Sequence, residues 1–326
     1  MASVRIGVVG AAGGMGRNHL KRVAPMDEVK VVSLCDINAE GLAEVAKEYG
    51  AQSYASADDM LSAGGMDAVY ICLPPGGHGD IDRKVVEAGL HLFTEKPCTM
   101  YLDEGIAVLE AARKTGVITC VGYGVRYGGS AQTIKKMLEG RAVGMVVVAR
   151  WAGLPGGKAW YLKMELGGGQ FVEMITHQID MLRYWLGDVN QVYAGFSYEL
   201  HKGMEGVTVP DNQSMIMHFD RGTIGVVTGS LAMVKHYVMR TEIICKEGLI
   251  ELAGREMKVI PEGAMEIPEP PPLKADSIDA AFIQAIVQND QSIVLSPYED
   301  GLKSAALSIA ASESAKTGQP VKPWRG

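Results

Sequence analysis

The sequence has little that would suit a nucleic-acid-binding or membrane protein. Its formal net charge is −7 at pH 7 and no run of lysine and arginine interrupts the chain, which argues against nucleic acids and anionic membranes as partners. No apolar stretch approaches the ~20 residues of a membrane span, and no charged-then-apolar leader precedes the first predicted strand. We therefore expect a cytoplasmic protein.

Cysteine is also scarce, with five residues and none of the spacings that hold a metal ion. Four of them, Cys35, Cys72, Cys120 and Cys245, fall in apolar, strand-like runs. Such positions are typical of buried free thiols in a reducing compartment and not of disulfides or metal ligands. The sequence therefore predicts no metal site.

What the chain does contain is typical of a large globular protein. It has 326 residues, of which 47% are hydrophobic, and this length favours two domains. Up to residue 122, apolar strand-like runs alternate with amphipathic helix patterns, which predicts a parallel sheet with helices on both faces. From Gln191 to Ile260, long strands are separated by turn signals. The predicted fold class is α/β, with a doubly wound parallel sheet over residues 1–123 and an α+β domain with a large, mostly antiparallel open sheet over 124–326.

A glycine-rich turn after the first strand is the most informative motif. The apolar run from Val4 to Val9 leads into Gly10-Ala11-Ala12-Gly13-Gly14-Met15-Gly16, and a second apolar run ends on Asp36. This order is typical of a dinucleotide-binding βαβ unit, in which glycines allow a tight strand exit, close approach of a pyrophosphate and close helix–strand packing. The phosphates would meet the N–H groups and positive dipole end of the helix. The predicted contacts, in a loop one residue longer than the commonest spacing, are Gly10, Ala12, Gly13, Gly14, Met15 and Gly16.

Asp36 indicates which dinucleotide binds. Its carboxylate can accept hydrogen bonds from the adenine ribose hydroxyls, whereas it would repel a 2′-phosphate. No arginine follows it immediately to bind such a phosphate. The sequence therefore predicts NAD as the cofactor, with NADP as the alternative.

The segment Glu95-Lys96-Pro97 lies at the predicted carboxyl end of a parallel strand, where open α/β sheets bind ligands. The proline limits the backbone conformation and so aims the lysine side chain. Taken alone, Lys96 could equally be a surface charge.

A second segment suited to acid–base chemistry lies in the predicted helix from Gly168 to Leu186. Glu173 and His177 stand at i and i+4 on one face, with Asp180 a turn beyond. A histidine beside a carboxylate can exchange a proton with a hydroxyl near neutral pH. The alternative is a solvated Glu–His pair on a surface helix.

Together these segments resemble the Gfo/Idh/MocA family, which includes glucose–fructose oxidoreductase and inositol dehydrogenases. The resemblance covers essentially the whole chain and rests above all on Glu95-Lys96-Pro97 and on the triple glycine at 167–169 followed by His177-Gln178-Ile179-Asp180. Further matching segments are Arg17-Asn18-His19, 67–75, 88–97, Arg126-Tyr127, 300–302 and 318–321. The resemblance implies a Rossmann domain, a second domain whose open sheet often mediates oligomers, and NAD(P)-dependent oxidation or reduction at a sugar or cyclitol carbon.

The resemblance also implies roles for individual residues. Lys96 would be the active-site lysine that binds the reacting oxygen, His177 would transfer the proton, and Glu173 stands where the family usually has aspartate. We expect further cofactor contacts from Leu73, Pro74, Pro75, His78, Glu95 and Lys96. We expect the substrate to contact Lys96, Arg126, Tyr127, Trp160, Tyr161, Lys163, Glu173, His177 and Asp180.

Substrate charge and assembly can also be predicted. Groups that pair with hydroxyls predominate and only Arg126 and Lys163 suggest an anion site, which favours a small uncharged polyol. The strands between Gln191 and Ile260 leave a sheet face that the few remaining helices cannot cover. An apolar face of this kind predicts a homo-oligomer, a tetramer or a dimer.

Three other functions compete with a sugar or cyclitol dehydrogenase. A non-catalytic dinucleotide sensor would have no use for Lys96, Glu173 and His177. An NAD-dependent glycosidase that uses transient oxidation remains open, and it would release an aglycone without net NADH. Dihydrodipicolinate reductase has a similar glycine loop, but the remaining motifs fit that enzyme badly.

Overall fold

The computed structural model describes residues 3–156, 159–234, 237–254 and 256–326. The chain forms two compact units, the first comprising residues 1–124 and 273–302 and the second comprising 125–272 and 303–326. The sequence indicated a division at 123 but not the grouping of residues 273–302 with the first unit. The assignment of one domain to the cofactor and the other to substrate and assembly stays a prediction.

The strands, in chain order, are β1 (Val4–Val9), β2 (Val29–Cys35), β3 (Gln52–Tyr54), β4 (Ala68–Ile71), β5 (His91–Thr94), β6 (Thr119–Val121), β7 (Val143–Trp151), β8 (Val189–Ser197), β9 (Asn212–Phe219), β10 (Ile224–Ser230), β11 (Val238–Cys245), β12 (Leu249–Ala253) and β13 (Glu256–Ile260). The α-helices are α1 (Gly14–Val23), α2 (Ala39–Tyr49), α3 (Ala57–Ala63), α4 (Ile81–Glu87), α5 (Leu102–Thr115), α6 (Gly129–Met137), α7 (Met164–Gly167), α8 (Gln170–Glu173), α9 (Thr176–Leu186), α10 (Ile278–Gln288) and α11 (Tyr298–Thr317). Short 3₁₀ helices cover Pro75–Gly77, Gly124–Tyr127, Ala159–Leu162 and Gln291–Ile293. Within the described ranges, no helix is both long and apolar enough to cross a membrane.

The first unit is built on a six-stranded parallel sheet in the order β3-β2-β1-β4-β5-β6. All residues of β4 are buried, as expected of a strand covered on both faces. Helices α2 and α5 end on Gly50 and Gly116, whose φ angles of 63° and 70° are left-handed, a conformation that glycine adopts readily. The predicted doubly wound sheet is confirmed, and its order changes direction between β1 and β4, the point where such sheets bind ligands.

The second unit is built on a seven-stranded sheet in the order β13-β12-β11-β7-β10-β9-β8. Strands β7 and β10 run parallel, and the other neighbouring strands run antiparallel. One face carries the core, in which Val146 and Val148 of β7 share a cluster with apolar side chains of the helices. The predicted packing set is buried in this cluster: Phe171, Ile175, Ile179, Leu182 and Leu186. The predicted large, mostly antiparallel sheet is therefore confirmed.

The opposite face of this sheet presents apolar side chains outward. Tyr193, Ile216, Val226 and Val147 stand opposite one another across β8, β9, β10 and β7. Tyr193 and Ile216 are 47% and 40% exposed. Neighbours in such a cross-strand row touch one another, so the row forms one continuous apolar patch. Association of copies through this face stays a prediction.

Candidate active site

The glycine loop between β1 and α1 is shaped by two very close backbone approaches. Gly10 has a φ angle of +80°, and a Cβ atom there would lie 2.4 Å from the carbonyl oxygen of Cys72. A Cβ atom on Gly16 would lie 2.2 Å from the carbonyl oxygen of Gly10. No side chain fits at either position, so the tight strand exit and the close helix packing both require glycine.

The remaining part of the loop is open. Gly13 is the N-cap of α1 and no side chain caps that helix. A Cβ atom on Gly14 would meet nothing within 4 Å, and Met15 is 41% exposed. An uncapped helix start with an accessible backbone suits the phosphates of a dinucleotide, because N–H groups and the helix dipole both face outward there.

Asp36 is held beside this loop by backbone hydrogen bonds. Its two carboxylate oxygens accept from the N–H groups of Ala12 and Asn38, each at 2.9 Å. Every carboxylate oxygen has a second lone pair, so the group can still accept from a ribose diol. Arg17, at the start of α1, donates to the Ala12 carbonyl at 3.1 Å and to Glu44 at 3.1 Å. These residues fit NAD.

Lys96 is half-buried and is the second residue after β5, beside a buried charge network. Glu95 accepts from the backbone N–H of Lys96 at 3.2 Å, and its other oxygen lies 2.9 Å from Nε2 of His19. The opposite ring nitrogen of His19 lies 2.5 Å from Asp279. Burial lowers the pKa of His19, but the hydrogen bonds and charges of the two carboxylates outweigh it and raise the pKa to about 9. The imidazole is therefore charged at neutral pH and holds the residue that precedes Lys96.

His78, predicted as a cofactor contact, is buried at 5% exposure. Its Nδ1 atom lies 3.2 Å from the Thr94 hydroxyl and 3.5 Å from Asp82. Burial alone would lower the pKa of His78, but the charge and hydrogen bond of Asp82 raise it. These contacts favour a structural role for this side chain. Leu73 and Pro74 are half-buried and exposed beside it, and Pro75 begins the 3₁₀ helix.

The predicted single helix from Gly168 to Leu186 is wrong. Gly168 and Gly169 have φ angles of 69° and 78° and separate α7 from α8. A second break follows, because the N–H groups of Met174 and Ile175 both donate to the Gln170 carbonyl, at 3.0 and 2.7 Å. The bond from Ile175 spans five residues instead of four, which is the π-type irregularity often found at functional sites.

This break lies between the two predicted acid–base residues. Glu173 ends α8 and His177 is the second residue of α9, and both are half-buried. Tyr161, 5% exposed, lies near Glu173. Burial first, and then the charge and hydrogen bonding of Glu173, raise the pKa of the Tyr161 hydroxyl. The ring of Trp160 packs at 5.5 Å from that of Tyr161, and Lys163 follows, half-buried, at the start of α7.

Arg126 and Asp180 form a buried pair. Nε and Nη2 of Arg126 donate to the two carboxylate oxygens at 2.8 and 2.5 Å, and the Ser304 hydroxyl donates to the same carboxylate at 2.7 Å. The two residues are only 2% and 1% exposed. This bidentate geometry favours a structural role for both residues over the predicted substrate contacts. Tyr127, the next residue, is half-buried at the end of its 3₁₀ helix.

Sequence reasoning missed Arg150 at the end of β7. Nη1 of Arg150 lies 3.2 Å from the Met239 sulfur, and its guanidinium carbon lies 4.3 Å from the centre of the Tyr237 ring. Burial lowers the pKa of Arg150, whereas the charges of Tyr161 and Glu173 raise it. The signal available was alternation, since Arg150 shares the inward phase of β7 with Val146 and Val148.

Two family models match the chain. Residues 4–123 match the model described as "Oxidoreductase family, NAD-binding Rossmann fold", and residues 131–251 match the "GFO/IDH/MocA C-terminal domain". Both matches agree with the resemblance indicated by the motifs.

Curated relatives and solved structures agree with these matches. The uncharacterized oxidoreductase YrbE of Bacillus subtilis is 25% identical over 97% of this chain and 95% of its own. The scyllo-inositol 2-dehydrogenase (NAD(+)) of the same organism is 27% identical over 98% and 96%. The crystal structure of the WlbA dehydrogenase from Bordetella pertussis, in complex with NADH and UDP-GlcNAcA, has a TM-score of 0.86 at 26% identity and covers 98% of both chains.

Proposed function

The chain belongs to the Gfo/Idh/MocA oxidoreductase family and has its NAD-binding Rossmann domain, and we propose that it catalyses NAD-dependent oxidation or reduction at a secondary hydroxyl or hemiacetal carbon of a sugar or cyclitol. The relatives support this substrate class, since one is a scyllo-inositol 2-dehydrogenase and another was crystallised with UDP-GlcNAcA. When bound, NAD supplies the nicotinamide that accepts or donates the hydride.

The observation that carries the proposal is the half-buried pair Glu173 and His177 on either side of a helix break. We propose that His177 exchanges the hydroxyl proton, because imidazole titrates near neutral pH. Lys96 would donate a hydrogen bond to the same oxygen and stabilise alkoxide character as it develops. Glu173 would orient one of these groups. Glu95 is hydrogen-bonded to His19 and to the backbone N–H of Lys96. It would therefore act by positioning Lys96 and not by touching a ligand.

The proposal is tested by offering NAD⁺ with cyclitols, aldoses, uronic acids and anhydrosugars and following NADH at 340 nm. On any substrate found, Lys96→Ala and His177→Ala should lower kcat by about a hundred- to ten-thousand-fold, and both variants should still bind NADH, as measured by its fluorescence. Exposed Lys114 gives a matched control, since Lys114→Ala should behave as wild type.

Three further outcomes would decide between alternatives. If Lys96 and His177 act on one oxygen, the double variant should lose less activity than the product of the two single losses. Wild-type activity in either single variant would remove that residue from the mechanism. Release of an aglycone without net NADH would replace the dehydrogenase with a glycosidase that oxidises its substrate transiently.

A further inference from the structure

Arg150 lies on the face of the second-unit sheet that carries the core. Val146 and Val148 precede it in the same phase of β7 and are 0% and 1% exposed. Arg150 pairs across the sheet with Met239 of β11 and Gly229 of β10. An arginine on an inward face must be compensated, because an uncompensated charge is costly to remove from water.

The protein supplies only weak partners for this guanidinium. Its contacts are the Met239 sulfur at 3.2 Å and the face of the Tyr237 ring at 4.3 Å. Within residues 3–156, 159–234, 237–254 and 256–326, Arg150 forms no ion pair and its buried Nε has no acceptor. The charge of Glu173 raises the pKa of Arg150, but within the described residues the two side chains do not form an ion pair.

A second polar side chain nearby carries a hydrogen-bond acceptor that has no donor within the described ranges. Gln178, the residue after His177, directs its Nε2 atom to the same Met239 sulfur at 3.7 Å. Its Oε1 atom is buried without a donor among the described residues. Donor groups of Arg150 and Gln178 therefore converge on the Met239 sulfur, and the amide of Gln178, the residue after the proposed proton-transferring histidine, keeps an acceptor without a donor in that part of the chain.

We propose that Arg150 binds a carboxylate of the substrate and that Gln178 accepts a hydrogen bond from a neighbouring hydroxyl, so that the substrate is a sugar acid or a carboxylated cyclitol. This deepens the proposed function and rests on it. The planar guanidinium matches a carboxylate with two parallel hydrogen bonds. A phosphate ester carries about −1.5 to −2 charges at neutral pH, and the nearby carboxylate of Glu173 disfavours a dianion more than a monoanion. The uncharged substrate predicted from the sequence rested on Arg126 and Lys163 and did not take Arg150 into account.

The test compares matched acid and neutral substrates: D-glucuronate with D-glucose, D-galacturonate with D-galactose, and D-glucose 6-phosphate as the phosphate probe. Wild type should prefer an acid over its neutral partner. Arg150→Met keeps an unbranched side chain but removes the charge, and it should raise KM for the acid by about 10- to 100-fold, the usual range for hydrogen bonds to charged groups. The KM for the neutral sugar should change less than about threefold in Arg150→Met. The KM of Arg150→Lys for the acid should lie between those of wild type and Arg150→Met, because lysine keeps the charge but cannot form two parallel hydrogen bonds to a carboxylate. Arg83→Met alters an exposed arginine and should match wild type.

A binding measurement separates failure of this inference from failure of the proposed function. In the presence of NADH, D-glucuronate should raise the Tm of wild type and of Arg83→Met, and not that of Arg150→Met. If no compound turns over but this shift depends on Arg150, the proposed function fails and the anion site stands. Equal effects of Arg150→Met on acid and neutral sugars, a wild-type preference for the neutral sugar or the phosphate, or a shift independent of Arg150 would each overturn the inference.

Discussion

The charge of His19 should make the stability of the first unit depend on pH in the alkaline range. Its imidazole lies 2.9 Å from Glu95 and 2.5 Å from Asp279, which raise the pKa from 6.5 to about 9. A group whose pKa is raised by folding stabilises the fold below its unfolded pKa and loses that contribution as pH rises through the folded value. At 1.36 kcal/mol per pKa unit the contribution is about 3 kcal/mol. Wild type should therefore lose about 3 kcal/mol relative to His19→Gln between pH ~6.5 and ~9.5.

The assay is denaturant unfolding of the cofactor-free protein at several pH values in this range. All the tryptophans, Trp151, Trp160, Trp185 and Trp324, lie in the second unit, so far-UV circular dichroism must replace tryptophan fluorescence as the probe. The difference between wild type and His19→Gln at each pH removes the effect of all other titrating groups, because both proteins share them. His19→Gln also removes the cation that lies between the Glu95 and Asp279 carboxylates and so lowers stability. Adding Asp279→Asn should recover part of the lost stability. A free-energy difference between wild type and His19→Gln that stays constant across the range would refute the reasoning.

Three further predictions concern the cofactor, assembly and packing. The kcat/KM with NAD should exceed that with NADP, and Asp36→Ala should narrow the ratio; equal values in wild type would contradict the role of this carboxylate. Light scattering should give a multiple of 34.9 kDa for wild type and a smaller species for Ile216→Glu, whereas a wild-type monomer at micromolar concentration would exclude assembly through the sheet face. Asp180→Ala should destabilise the second unit by about 3–5 kcal/mol, because it removes the carboxylate that pairs with two nitrogens of the buried Arg126 side chain; a fully stable variant with a raised KM would instead restore Asp180 to the substrate site.

Much of the fold could be predicted because its signals are local. The burial of all of β4 and the glycines after α2 and α5 follow from runs of a few residues. The packing stripe from Phe171 to Leu186 kept its helical spacing even though the helix is broken. The break itself had no local signal, since nothing between Gln170 and Thr176 resembles a helix terminator, and it consists of one carbonyl that accepts two N–H groups.

The parts that could not be predicted depend on residues far apart in the chain. His19 is separated from Glu95 by 76 residues and from Asp279 by 260, so no spacing rule reveals their contact. Arg150 is a single basic residue at a strand end, which in a sequence is typical of a solvated charge. Its meaning emerges only when neighbouring strands show which face of the sheet it occupies.

The grouping of residues 273–302 with the first unit means that the unit built on the parallel sheet is discontinuous in the chain. Phe282 packs edge-on against Tyr70 at 5.4 Å, and the Gln291 amide exchanges hydrogen bonds of 2.8 and 2.9 Å with the backbone of Thr119 on the edge strand β6. An excised N-terminal fragment would expose an aromatic surface and an unpaired strand edge, both of which promote aggregation. A ribosome must therefore synthesise most of the chain before this unit can close, and a domain exchange must carry both segments together.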